Sequence, residues 1–199
     1  MRDNQAYNLG FRSIGKDVTI WPLAKIVAPE VISIGDSVMI DDFVLLMGGA
    51  ATRIGSFVHI SCHASVVGGG EFVMEDFSGL SGGVRVYTGT DDYTAPLLTN
   101  PTVPEPYRIT LRSFVHLHKH AVIGTNSVIL PGVTIGEGAA IGANSLVTRD
   151  CEPWTVYFGS PAKPYRHRPE AQIRELEERL RQDVYDENGA YIPKARRES

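Results

Sequence analysis

The chain has 199 residues, a formal charge of −4, 43% hydrophobic residues and 21% charged residues. This is the composition of a globular fold with one substantial core, and it gives no footprint for nucleic acid as the main partner. No stretch approaches the roughly 18 uninterrupted apolar residues of a spanning helix, the opening MRDNQAYNLGFRSIG has no apolar secretory segment, and Cys62 and Cys151 form no metal-spacing motif; a reduced, cytoplasmic protein without membrane contact is the expectation.

From the N-terminus, Ile14-Gly15, Ile34-Gly35 and Ile54-Gly55 recur at an interval of twenty, with Met74-Glu75 in the next place. Within each interval two aliphatics follow at steps of six: Ile20 and Ile26, Ile40 and Leu46, Ile60 and Val66, Leu80 and Val86. Twenty is three hexads plus two residues, so one turn has three flat sides and a slightly extended corner. Glycine suits such corners, where the chain needs φ > 0 or has no room for a Cβ. Between Tyr87 and Ile109 the run YTGTDDYTAPLLTNPTVPEPYRI has four prolines and no sixfold spacing. A long loop on a rigid scaffold is where sites are carried.

Beyond the loop the period is six without a miss: Leu111, Leu117, Ile123, Ile129, Ile135, Ile141 and Val147. Four residues after each of the first six stands Val115, Ala121, Ser127, Val133, Ala139 or Ser145. Six is neither the period of a helix nor that of a lone strand. It describes a coil of short parallel strands, with aliphatics pointing inward and small residues near the corners. The fold is an all-β solenoid, each turn burying its face against its neighbours.

After the turn-rich YFGSPAKPYR, Pro169-Glu170 opens a helical pattern through Ala171–Gln182, with Ile173, Leu176 and Leu180 on one face. This helix is expected to pack on the coil or a neighbouring subunit and to cap the open solenoid end. Residues 186–199 are polar and basic and are expected to be loosely held. The division is a β-helix domain at 1–168, with its loop at about 87–110, and a helix and tail at 169–199.

Two further sets of residues carry chemistry. In His116-Leu117-His118-Lys119-His120 the alternation invites a metal. Leu117 and Ala121 take inward positions, however, so the histidines point out to solvent or to a neighbouring subunit. Corners also keep the three from converging, so no metal is expected. His118 remains a candidate base, and His59 and His63, flanking inward Ile60 and Ala64, read as outward residues. Neither cysteine is a nucleophile: both lie in hexad context, Cys151 at a small inward site.

The block IGTNSVILPGVTIGEGAAIGANSLVTRD, followed by PWTVYFGSPAKPYR, resembles the hexapeptide-repeat acyltransferases, and the resemblance covers about residues 10–168. It implies a left-handed parallel β-helix, a homotrimer with active sites between subunits, and acetyl-CoA or another short acyl-CoA as donor. The loop before the last coils is similar to that of the galactoside and maltose O-acetyltransferases. Within it, TGTDDYTAPLLTNPTVP is more similar to the sub-branch that acylates amino groups of nucleotide-linked dideoxy sugars such as dTDP-4-amino-4,6-dideoxyglucose, for surface polysaccharides such as lipopolysaccharide O-antigen. By the same resemblance Thr125 and Ala143, near Gly124 and Gly142, match the positions along which the pantetheine arm runs. Thr148 and Arg149 match the pair near the adenine and 3′-phosphate, and Lys163 and Arg166 match the basic residues that meet the CoA phosphates.

In the galactoside branch a loop histidine is the general base for a sugar hydroxyl. Here that stretch reads Thr90-Asp91-Asp92-Tyr93, without histidine. A hydroxyl is a poor nucleophile until its proton is being removed, whereas an amine with a pKa of about 8 already has a neutral fraction near neutral pH. Asp91 or Asp92 is therefore expected to hold and orient an amino group, the plain alternative being a turn cap. An O-acetyltransferase using a histidine base and a non-catalytic scaffold are the other readings. The basic residues and the intact loop speak against the scaffold.

Overall fold

The computed structural model describes residues 4–197; residues 1–3 and 198–199, which the sequence division includes, lie outside the described residues. The chain winds into a parallel β-solenoid with three faces. The first stacks Ser13–Ile14, Ile32–Ile34, Ala51–Ile54, Glu71–Met74, Phe114–Leu117 and Val133–Ile135. The second stacks Thr19–Ile20, Met39–Ile40, His59–Ile60, Gly79–Leu80, Val122–Ile123 and Ala140–Ile141, then Thr155–Phe158 and finally the antiparallel Lys163–His167. The third stacks Lys25–Val27, Leu45–Met47, Ser65–Val67, Arg85–Tyr87, Val128–Ile129 and Leu146–Val147. In register, Ile14 lies opposite Ile34, Ile34 opposite Ile54, Met74 opposite Leu117 and Leu117 opposite Ile135.

The sixfold aliphatics fill the interior. Leu117, Ile123, Ile129 and Ile135 are fully buried, as are the small residues Ala121, Ser127 and Ala139 between them. Each buried isoleucine or leucine contributes about 1.5–3 kcal/mol, and each hexad turns two residues inward, one large and one small. Leu111 is the exception: 49% exposed, it lies in a hairpin stem in which Gly89–Asp91 pairs with Thr110–Arg112. The coil resumes only at Phe114, so the insertion spans 88–113 rather than 87–110.

The corner between the first and second faces uses glycine for space, not for φ. A Cβ on Gly35 would come within 2.6 Å of Ser56 Oγ and 2.7 Å of the Gly55 carbonyl carbon. The left-handed backbone lies two residues on; in the coil between His120 and Trp154 it belongs to Gly138, φ 67°, and in six coils to non-glycines, Asp17, Ser37, Phe57, Phe77, His120 and Trp154, with φ between 52° and 61°. Such residues cost conformational energy, which side-chain stacking offsets. Phe57 and Phe77 are parallel at 4.8 Å, Phe77 and His120 at 5.1 Å, and His120 and Trp154 follow at 5.9 Å.

Helix α1, Glu170–Val184, lies along this corner instead of across the open end. Arg174 pairs with Glu137 at 2.9 Å, and Glu177 meets Lys119 at 2.6 Å and His120 at 2.7 Å. Arg181 reaches Asp76 at 2.9 Å, and Tyr185 packs edge-on to Phe57. Glu177 and Val184 are buried and Ile173, Leu180 and Arg181 half-buried, so two of the three expected residues lie on the packed side, whereas Leu176 faces solvent at 63% exposure. The expected stripe through Leu176 fails because this corner offers Asp76, Lys119 and His120, which ion pairs satisfy and leucine does not. The tail is not loose over its described part. Tyr191 is buried, its hydroxyl 2.9 Å from Asp17 Oδ2, and the Lys194 amide donates to the same oxygen at 2.7 Å. At the first coil the Asn4 carboxamide donates to the Val18 carbonyl at 2.6 Å and accepts from the Ile20 amide at 3.3 Å.

Burial alone would push the Glu177 carboxyl up, but hydrogen bonds from Lys119, Arg181 and His120 outweigh it and hold it at about 2. Its folded value lies below the ordinary 4.5, so its contribution is present above about 4.5 and is lost as pH falls towards 2. Glu177→Gln is expected to lower unfolding stability by about 3 kcal/mol at pH 7, the low end for a buried pair because Lys119 and Arg181 reach solvent. Urea unfolding at pH 7 and at pH 3 checks this: the gap between wild type and variant narrows in acid, and an unchanged gap contradicts the clamp.

Candidate active site

Thr125 and Ala143 occupy the corner between the second and third faces in successive coils, both exposed, and the Asn144 amide donates to the Thr125 carbonyl at 2.8 Å. The glycines before them keep this column flush. A Cβ on Gly124 would meet the Ala143 nitrogen at 2.6 Å, and one on Gly142 would meet the Phe158 ring at 2.4 Å. Phe158 is 61% exposed and walls the end of the column, with Lys163 opposite it in register. Arg166 lies on the same exposed strand, and Thr148 and Arg149 are exposed where the last coil leaves the third face. A thin ligand fits beside a column without large side chains, and the cations at its end suit phosphates.

A cleft of about 390 Å³ opens on the same corner, lined by Thr125, Gly82, Ser81, Ser61 and His59. Asp41 Oδ2 lies 3.0 Å from His59 Nε2 and accepts from Ser61 Oγ at 3.2 Å. Sequence reasoning passed over Asp41, Ser61 and Ser81 and left His59 as a plain outward residue. The signal was present, because the three follow Ile40, Ile60 and Leu80 at the twenty-residue interval.

The insertion leaves from a different corner, between the third and first faces. Asp91, in its stem, is largely covered. Its Oδ1 accepts from Arg108 Nη1 at 3.0 Å and Thr110 Oγ1 at 3.1 Å, and its Oδ2 from the Asn100 amide at 2.7 Å. The Asn100 amide, against partial burial and with Thr110 and Arg108, holds this carboxyl below its ordinary range. Asp92 Oδ1 accepts from Thr94 Oγ1 at 2.7 Å, the Thr94 amide at 2.9 Å and the Ala95 amide at 3.2 Å, and Thr94 holds it low. Within one chain both aspartates brace the arm, as the turn-cap alternative has it. Among the described residues, the hydrogen bonds of 92–107 close within the arm. Its large side chains stand free, Tyr93 at 78%, Leu98 at 61% and Tyr107 at 62% exposure.

His118 lies at neither place. It sits on the helix-covered corner, where His116 Nε2 and His118 Nδ1 are 2.9 Å and 3.1 Å from Glu75 Oε1, and Glu75 Oε2 accepts the Lys119 amide at 3.0 Å. Burial raises the Glu75 carboxyl, but the Lys119 amide and the two imidazoles outweigh it and leave it lowered. The three histidines do not converge and His116 and His118 face outward as expected, but these two meet a carboxylate from the preceding coil, and the outward reading fails for His120. His120 is buried between Phe77 and Trp154 with its Nε2 on Glu177. The expected residues therefore fall on separate corners, Thr125, Ala143 and Lys163 together, Asp91 and Asp92 together, and His118 apart. His63 is exposed and stacks on Phe43. Cys62 is exposed, and Cys151 is buried with its thiol pushed up to about 12, which makes it a poor nucleophile near neutrality.

The model of the bacterial transferase hexapeptide family (six repeats) matches residues 114–149. The dTDP-4-amino-4,6-dideoxy-D-glucose acyltransferase of Escherichia coli is 36% identical over 185 residues, covering 92% of this chain and 96% of that protein. The structure of AntD, an N-acyltransferase from Bacillus cereus, with dTDP and 3-hydroxybutyryl-CoA is similar with a TM-score of 0.82 at 38% identity, covering 88% of this chain and 93% of that one. A variant of AntD in complex with dTDP-4-amino-4,6-dideoxyglucose and coenzyme A gives 0.84 at 37% identity, covering 89% and 95%.

Because Asp91 ties three parts of an arm that is otherwise self-contained, Asp91→Asn is expected to loosen the arm and spare the coils. Limited proteolysis within residues 92–107 should be faster, with the melting temperature of the solenoid nearly unchanged. Equal protection in wild type and variant would show that the carboxylate is not the brace.

Proposed function

The chain belongs to the hexapeptide-repeat acyltransferases, and from that membership we propose that it moves a short acyl group from coenzyme A to the amino group of a nucleotide-linked amino-dideoxy sugar of the dTDP-4-amino-4,6-dideoxyglucose type. The observation that carries the acceptor class is the arm: residues 88–113 hold Asp91 and Asp92 and no histidine. A carboxylate holds an ammonium group and orients the amine that remains after proton loss, and an amine needs no strong base to attack a thioester. The C–N bond forms as the C–S bond breaks. The proton surplus on nitrogen leaves with the CoA thiolate as free thiol.

On this reading the pantetheine arm follows Thr125 and Ala143, Lys163 and Arg166 meet the phosphates, and Thr148 and Arg149 lie near the adenine end. The donor column and the acceptor arm leave the solenoid at different corners, and the arm carries exposed Tyr93, Leu98 and Tyr107 without a hydrogen bond from residues 92–107 to its own coils. Both features favour a homotrimer in which the arm of one subunit faces the groove of the next. Among the described residues no helix is long and apolar enough to cross a membrane. A cytoplasmic place, where acyl-CoA and nucleotide sugars are made, and a product destined for surface polysaccharide complete the proposal.

The test is thiol release from acetyl-CoA and 3-hydroxybutyryl-CoA with dTDP- and UDP-linked amino sugars against simple glycosides. Release with amines is expected, and release with hydroxylic sugars alone would replace this reading by O-acetylation. Arg149→Ala combined with Lys163→Ala is expected to raise KM for acyl-CoA about tenfold or more, the scale of a lost charge-assisted hydrogen bond. An unchanged KM removes these cations from the donor site.

A further inference from the structure

The corner between the first and second faces carries glycine in three coils, Gly15, Gly35 and Gly55, because a Cβ there would strike the next coil. The next two coils break the column with Glu75 and His118, and the coil after them restores it with Gly136. These two side chains sit one above the other and meet. With His116, from the strand that pairs with Glu71–Met74, they bring one donor atom each within 4.8 Å of one another, His116 Nε2 and His118 Nδ1 being 2.9 Å and 3.1 Å from Glu75 Oε1.

We propose that Glu75, His116 and His118 form a binding site for a borderline divalent cation of the Zn²⁺ type, tying the coil before the arm to the coil after it. Two imidazoles and one carboxylate are a donor set that zinc accepts at about 2.0–2.2 Å, leaving one position open. Glu75 and His116 line a cleft of about 740 Å³ with Asp76, Lys119 and Arg181, and His118 lines a second one of about 420 Å³. The three Lys and Arg side chains of the first cleft are already engaged: Arg53 pairs with Glu71, Lys119 Nζ lies 2.6 Å from Glu177, and Arg181 pairs with both Glu177 and Asp76. The carboxylate is fixed by a second contact, the Lys119 amide on Oε2, the kind of outer support that metal-binding carboxylates use. All three donors are part-exposed, so an ion can enter without unfolding. The site lies on a different corner from the donor column and the acceptor arm, so it does not depend on the substrate proposed above.

The test is titration of tag-free protein with Zn²⁺ against a chromophoric chelator, and with Co²⁺ read by its visible absorption. One ion per chain is expected, with a rise in melting temperature. Glu75→Gln, which is nearly isosteric and keeps the fold, and His118→Ala should each weaken binding about tenfold or more, while His63→Ala binds as wild type. No saturable binding by the wild type would overturn the site. So would binding that persists at full strength in Glu75→Gln and His118→Ala.

Discussion

The rise of one coil, about 4.8 Å between hydrogen-bonded parallel strands, sets the dimensions of everything attached to this solenoid. Aromatic rings on successive coils fall at stacking distance, as Phe57 and Phe77 do at 4.8 Å. Short polar side chains reach from one coil to the next to cap its backbone: Asp36 accepts from the Lys16 amide, Ser56 from Asp36, and Asp76 from Ser56. A helix turn of about 5.4 Å nearly matches the same rise. Helix α1 can therefore present Arg174, Glu177, Arg181 and Tyr185 to four successive coils, one contact per turn.

This commensurability explains what could be read from the chain and what could not. The inward aliphatics were legible because burial on a hexad depends only on position within the coil, and Leu117 to Val147 obey it. Leu111 kept the spacing by coincidence, its residue belonging to a stem that the period does not govern. Contacts between coils are a different matter. Glu75 meets His116 and His118 across an insertion whose length shifts the register, so no fixed interval joins them. The same shift hides the continuation of the Phe57–Phe77 stack into His120. The polar face of α1 was misread because amphipathicity was counted in apolar residues, whereas the surface it meets is charged.

For the candidate site, the residue types were legible and their grouping was not. The column of Thr125 and Ala143 and the basic end strand fall together because they are close in sequence and stack directly. The aspartates of the arm stand on another corner, and in one chain both oxygens of Asp91 are taken by Arg108, Thr110 and Asn100 and Oδ1 of Asp92 by Thr94 and Ala95. In a single subunit the proposed donor column and the proposed acceptor aspartates are thus not joined. On the proposed reading, the arm can vary with the acceptor while the coils, and with them the donor column, stay unchanged.

Stacked strands have ends, and an exposed end invites another molecule to continue the ladder into a filament. At the first coil the Asn4 carboxamide imitates a peptide group, donating to Val18 and accepting from Ile20. It fills the ladder with a side chain that cannot propagate it. At the far end Lys163–His167 turns back antiparallel, carries Pro164, and is exposed along its length. Proline offers no donor and like charges repel a second copy of the same edge. Lys163 and Arg166 therefore also guard this edge, a consequence separate from the donor-binding role proposed for them.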